Sequence, residues 1–96
     1  MKETKVIQVR SQKVPVITFD SETKAVYIKF SDNKVAKTID DSEGNVIVTI
    51  DVDAKGNVIG VELIGIKVFT ITKTVKILSK RIKDLPDLAK AQLTAC

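Results

Sequence analysis

In several runs between residues 14 and 64, apolar side chains recur at every second position. This is the spacing of strands that face a core on one side and water on the other. The clearest strand is Lys24–Phe30, in which Val26, Ile28 and Phe30 alternate with Ala25, Tyr27 and Lys29. Asn45–Val52 repeats the pattern, with Val46, Val48, Ile50 and Val52 on one side and Ile47, Thr49 and Asp51 on the other. Val58–Ile64 sets Ile59, Val61 and Leu63 on one side, Val14–Phe19 and Val35–Ile39 supply two more segments, and Lys5–Arg10 reads as a frayed first strand. Turn formers separate the runs: Asp20-Ser21-Glu22, Ser31-Asp32-Asn33, Asp40 to Asn45 and Asp53 to Asn57. Two of these turns share the pattern Asp-x-x-Gly-Asn-Val-Ile, starting at Asp41 and at Asp53, where Gly44 and Gly56 supply a positive φ. The expectation over residues 14–66 is a five-stranded antiparallel β-meander.

After Gly65 the period lengthens. Ile71, Val75, Leu78 and Ile82 fall on one stripe of an α-helix, Thr70 is placed to cap it, and Lys73, Lys76, Lys80 and Lys83 fall on the other side. Asp84 reads as the cap of a second short helix, with Pro86 at its first position and Leu88, Ala89 and Leu93 as its apolar side. Residues 70–94 are thus expected to form one or two short C-terminal helices packed on the sheet. The whole chain, residues 1–96, is expected to be a single α+β domain.

Composition agrees with a sheet and removes several chemistries. Twelve Ile and 13 Val make the apolar set mostly β-branched, which suits a pleated surface. The chain has no His and no Trp, and its single cysteine is Cys96. That excludes His-based triads, Cys/His metal cages and an internal disulfide framework. No run approaches a membrane span, and the N-terminal MKETKVIQVR carries no apolar signal region, so the expectation is a cytoplasmic protein. Net charge is +4, but it is uneven. Residues 1–62 hold nine basic and ten acidic groups, whereas residues 63–96 hold seven basic and two acidic ones, a net +5.

Two stretches resemble a known family. Asp20-Ser-Glu-Thr-Lys-Ala25-Val-Tyr27-Ile28-Lys-Phe30, followed by Asp51-Val-Asp53-Ala-Lys-Gly56-Asn-Val58-Ile-Gly60-Val61-Glu62-Leu-Ile64, is similar to the small prokaryotic domain of unknown function 2283. Its members pair an Ala-x-Tyr-Ile-x-Phe hairpin with an Asp-x-Asp-x-x-Gly-x-Val-x-Gly-x-Glu hairpin, and the likeness covers about residues 14–66. The resemblance implies a β-rich fold ending in helix and no activity. It also implies an association, since members resemble the companion half of small toxin–antitoxin-like pairs. The C-terminal segment here is longer and more basic than the family pattern.

Candidate chemistry is sparse. Asp51, Asp53, Gly56, Val58 and Glu62 fall at EF-hand positions 1, 3, 6, 8 and 12, but Lys55 stands where a ligand oxygen belongs and the flanks read as strands. The segment reads as a hairpin, and no metal, cofactor or catalytic residue is assigned. Tyr27 and Glu62 are a candidate structural polar pair, a lone strand carboxylate without a nucleophile or base being no general acid–base site. Lys73, Lys76, Lys80, Arg81, Lys83 and Lys90 are candidate nucleic-acid-binding residues, able to neutralise phosphates without reading sequence. Against that, Arg, the usual reader of base edges, occurs once in the stripe and no aromatic interleaves it.

The leading expectation is a non-enzymatic interaction module, binding a small protein partner or a second copy of itself as a homodimer. Its motive is that short helices cover one face of five strands while Asn45–Val52 is apolar on both. The alternative is sequence-independent nucleic-acid binding through the basic C-terminal helix.

Overall fold

The structure, a computed structural model, describes residue 9 and residues 13–42, 44–66, 70–83 and 85–95, with the side chain of residue 95 left aside. The frayed strand expected at Lys5–Arg10, Val9 apart, and the cap expected at Asp84 lie outside these residues.

All five expected strands form: β1 (Val16–Asp20), β2 (Ala25–Lys29), β3 (Lys37–Asp40), β4 (Ile47–Val52) and β5 (Val58–Ile64). They are followed by the helix α1 (Ile71–Ser79), a single 3₁₀ turn at Leu88–Lys90 and a sixth strand, β6 (Gln92–Ala95). The sheet order is β3-β4-β5-β2-β1-β6, so the expected five-stranded meander is corrected on two counts. The chain leaves β2 for the far edge and returns through β4 to seat β5 beside β2. The sheet is also mixed, because β6 lies parallel to β1 while every other pair is antiparallel. The architecture remains α+β.

The second helix is a correction too. Asp87 caps only the 3₁₀ turn, its Oδ1 accepting from the Ala89 amide. Leu88 is buried beneath that turn, and the chain then extends to pair with β1, starting with the Gln92 amide donating to the Pro15 carbonyl at 2.8 Å. Gln, Leu and Ala are good helix formers, but the open main-chain groups of β1 offered hydrogen bonds that a short solvated helix could not match.

One face of the sheet holds the core. Ile17, Val26, Ile28, Val48, Ile50, Val61 and Leu63 are almost wholly buried, joined from the helical layer by Leu78, Ile82 and Leu88. The register in β5 slips once, with Asp51 opposite Gly60 but Val52 opposite Val58. This bulge at Ile59 corrects the reading that set Ile59 with Val61 and Leu63. Val58 takes the core position, while Ile59 is buried outside the main cluster and its carbonyl accepts from the Phe30 and Ser31 amides.

Helix α1 begins where expected, with the Thr70 hydroxyl accepting from the Lys73 amide. Its most buried positions are Thr74 and Leu78, and the Thr74 hydroxyl is satisfied by the Thr70 carbonyl at 2.9 Å. The helix ends at Ser79, and Arg81 ties that end to the sheet. Its Nη1 donates to the Ile77 carbonyl at 2.6 Å, and its Nε lies 2.9 Å from Asp41 Oδ2 in the turn after β3. Hydrogen bonds to a charged group of this kind contribute about 1.5–3 kcal/mol when desolvated. Because Asp41 is half exposed, Arg81→Ala is expected to lower unfolding free energy by about 1–2 kcal/mol in urea denaturation. Lys76→Ala, on the exposed side of α1, is expected to change it by less than about 0.5 kcal/mol.

Candidate functional site

The face of the sheet opposite α1 has no described element packed on it. Strand alternation assigns its side chains: Val16, Thr18 and Asp20 from β1; Ala25, Tyr27 and Lys29 from β2; Thr38 and Asp40 from β3. Ile47, Thr49 and Asp51 come from β4, Gly60, Glu62 and Ile64 from β5, and Gln92 and Thr94 from β6. Four of these are carboxylates and one is a lysine, so the open face is acidic. The lysines of the C-terminal segment, Lys73, Lys76, Lys80, Lys83 and Lys90, are exposed on the helical layer instead.

At the centre of the open face is a hydrogen-bonded group. Tyr27 and Glu62 are cross-strand neighbours, as their pairing in the sequence reading requires, but the Tyr27 hydroxyl does not bond Glu62. It reaches diagonally across β5 and donates to Asp51 Oδ2 at 2.9 Å, while the Thr38 hydroxyl donates to Asp51 Oδ1 at 2.7 Å. Gly60 makes this reach possible. A Cβ there would sit 2.5 Å from Tyr27 Cζ and closer still to the hydroxyl, so the ring lies in the space a side chain would fill. The sequence reading missed Asp51 as the acceptor for Tyr27, Thr38 as the second donor to Asp51, and Gly60 beneath the ring. A glycine inside an otherwise β-branched strand was the available signal.

Burial is the main cause pushing the Tyr27 phenol above its ordinary range, and the Asp51 hydrogen bond and charge add to it, with Glu62 contributing least. The tyrosine therefore keeps its proton, acting as a fixed donor and an apolar slab rather than a base. The next carboxylate of the EF-hand-like spacing has a separate role. Asp53 accepts from the Asn57 amide and side chain and from the Lys55 amide, and chiefly the Asn57 amide lowers its carboxyl below the usual range. Asp40 is lowered mainly by the Ser42 hydroxyl, then by the Ser42 amide. Among the described residues no group of three carboxylates or thiols is placed to hold a metal ion.

The six basic candidates do not form one surface of equals. Lys73, Lys76, Lys80, Lys83 and Lys90 are exposed, but Arg81 is engaged by Asp41 and the Ile77 carbonyl. No described helix is long and apolar enough to cross a membrane.

The strands that build this face also decide the family. A family model described as protein of unknown function (DUF2283) matches residues 16–67, from the start of β1 to just past β5. The chain belongs to the DUF2283 family. No curated protein and no solved structure matches it. The DUF2283 match spans Tyr27, Thr38, Asp51, Gly60 and Glu62, the whole central group of the open face, whereas α1 and β6 lie beyond it.

Because Tyr27 is the sole tyrosine and there is no tryptophan, tyrosinate absorbance reports this group alone. Its folded-state pKa is raised, so the stability it confers is present below the unfolded value of about 10 and is lost as pH rises through the folded value. The absorbance is expected to appear well above pH ~10 in the folded protein, and earlier in Asp51→Asn. A titration midpoint at ~10 in the native protein would contradict the buried, Asp51-bonded placement of Tyr27.

Proposed function

We propose that this protein is a non-enzymatic interaction module that works by self-association. The observation that carries the reading is surface left without cover. Among the described residues one face of a six-stranded sheet and both of its edges, β3 and β6, have no partner, and Val14, Val35, Ile47 and Leu93 are large apolar side chains exposed by 42–71%. A sheet edge is a row of free main-chain donors and acceptors, and exposed apolar groups beside it favour pairing with another chain. In a small homo-oligomer the commonest solution is a two-fold dimer.

Acidic side chains dominate the open face, so two copies of that face would oppose like charges. Support for face-to-face pairing is therefore poor, and the edges are the better surfaces. Nucleic-acid binding through the C-terminal segment is the less favoured reading. Five exposed lysines support it, but Arg81, the one guanidinium of the stripe, is held by Asp41.

Sedimentation velocity from about 10 to 500 μM is expected to show a mass rising toward a dimer, since short-edge contacts are small and correspondingly weak. A monomeric mass throughout that range would refute self-association.

A further inference from the structure

We propose that β3 pairs antiparallel with β3 of a second copy, across a two-fold axis at Ile39, joining two six-stranded sheets edge to edge. The proposal rests on the self-association reading and names its surface.

The hydrogen-bond register of β3 decides which groups are free. The Asp41 amide donates to the Val48 carbonyl at 2.8 Å, and Ile39 lies opposite Ile50 and Lys37 opposite Val52. Hydrogen-bonded pairs alternate along an antiparallel ladder, so residues 37, 39 and 41 turn their main-chain groups toward β4. Thr38 and Asp40 turn theirs to the open edge.

Three two-fold registers bring those outward groups together while keeping side chains on matching faces. Centring on Thr38 sets Lys37 opposite Ile39 of the second copy and Asp40 opposite Ala36. Centring on Asp40 sets the two Asp40 carboxylates against one another and Ile39 against Asp41. Centring on Ile39 instead sets Lys37 opposite Asp41 twice, Thr38 opposite Asp40 twice, and Ile39 against itself. It opposes no like charges, pairs a half-buried isoleucine with its copy, and forms about four main-chain hydrogen bonds.

The two charged positions are prepared for this. Lys37 is exposed. Asp41 is half exposed, and its carboxylate is held by Arg81 on the same side of the sheet as Lys37, the side that bears α1. A lysine on a short edge strand ordinarily deters pairing with a foreign strand. Here the second copy supplies a carboxylate opposite it, so the same lysine selects a copy of its own chain. The other edge offers no such match, because β6 reads Gln92-Leu93-Thr94-Ala95 and holds no charge.

Three variants test this, the two cysteine variants with Cys96→Ser in place so that the introduced thiol is alone. Opposed residues at a pair without main-chain hydrogen bonds bring their Cβ atoms to about 4.5–5.5 Å, within reach of a disulfide after small adjustment. Ile39→Cys is expected to give a covalent dimer on mild oxidation, and Leu93→Cys on the other edge is not. Lys37→Asp, at an exposed position, is expected to raise the dimer Kd about tenfold, the sum of two attractive pairs made repulsive. Cross-linking through residue 93 but not 39, or a Kd indifferent to Lys37→Asp, would overturn β3 pairing and leave self-association standing. A chain that stays monomeric would overturn both.

Discussion

The pairing of β2 with β5 is the contact that makes one sheet from two pieces. The β1–β2 hairpin and the β3–β4–β5 ladder are each local in sequence, and an isolated two-stranded hairpin such as β1–β2 is marginally stable at best in water. Their seam places Val26 opposite Leu63 and Ile28 opposite Val61 on the core side, all four essentially without solvent exposure. On the other side the same register puts Tyr27 beside Glu62 and Lys29 beside Gly60. The Tyr27 ring crosses Gly60 to Asp51 on β4, so it bridges three strands. A one-residue slip of β5 would turn Val61 and Leu63 outward and remove the glycine from beneath the ring. The seam, the core and the polar group on the open face are therefore set by a single register.

Much of this was legible in the residues, because alternation is local. Val26, Ile28 and Phe30, or Val48, Ile50 and Val52, identify strands and their inner faces without reference to anything else. The order of strands is not local information, and nothing in the turns says that the chain leaving Phe30 travels to the far edge. Two local misreadings share one cause. The bulge at Ile59 breaks the period of two, and Leu88 and Leu93 suggest a helix that the open edge of β1 converts into β6. In each, a contact distant in sequence outweighed a nearby pattern. Of the candidate site, Tyr27 and Glu62 were readable as neighbours on one face. The diagonal bond to Asp51 was not, since it depends on the space above Gly60.

Charge is sorted by the fold as well as by the chain. The acidic N-terminal part contributes Asp20, Asp40, Asp51 and Glu62 to the open face, while the lysines of the C-terminal third lie on the helical layer. An acidic face repels its own copy and a lysine-covered layer does likewise, so the edges are the surfaces on which pairing of two copies, as proposed above, would oppose no like charges. At the β3 edge Arg81 ties the helical layer to the sheet. It anchors the end of α1, and it fixes the Asp41 carboxylate beside the free main-chain groups of Thr38 and Asp40.

Amide hydrogen exchange measured at two protein concentrations tells directly whether those free groups are the surface through which two copies pair. The outward amides of Thr38 and Asp40 lack a partner within the described protomer and become hydrogen-bonded only when two β3 edges join. Their protection is expected to rise with concentration, while the Ile39 amide, turned toward β4, and the amides of β6 change little. Protection at Thr38 and Asp40 that is the same in dilute and concentrated samples would contradict the account.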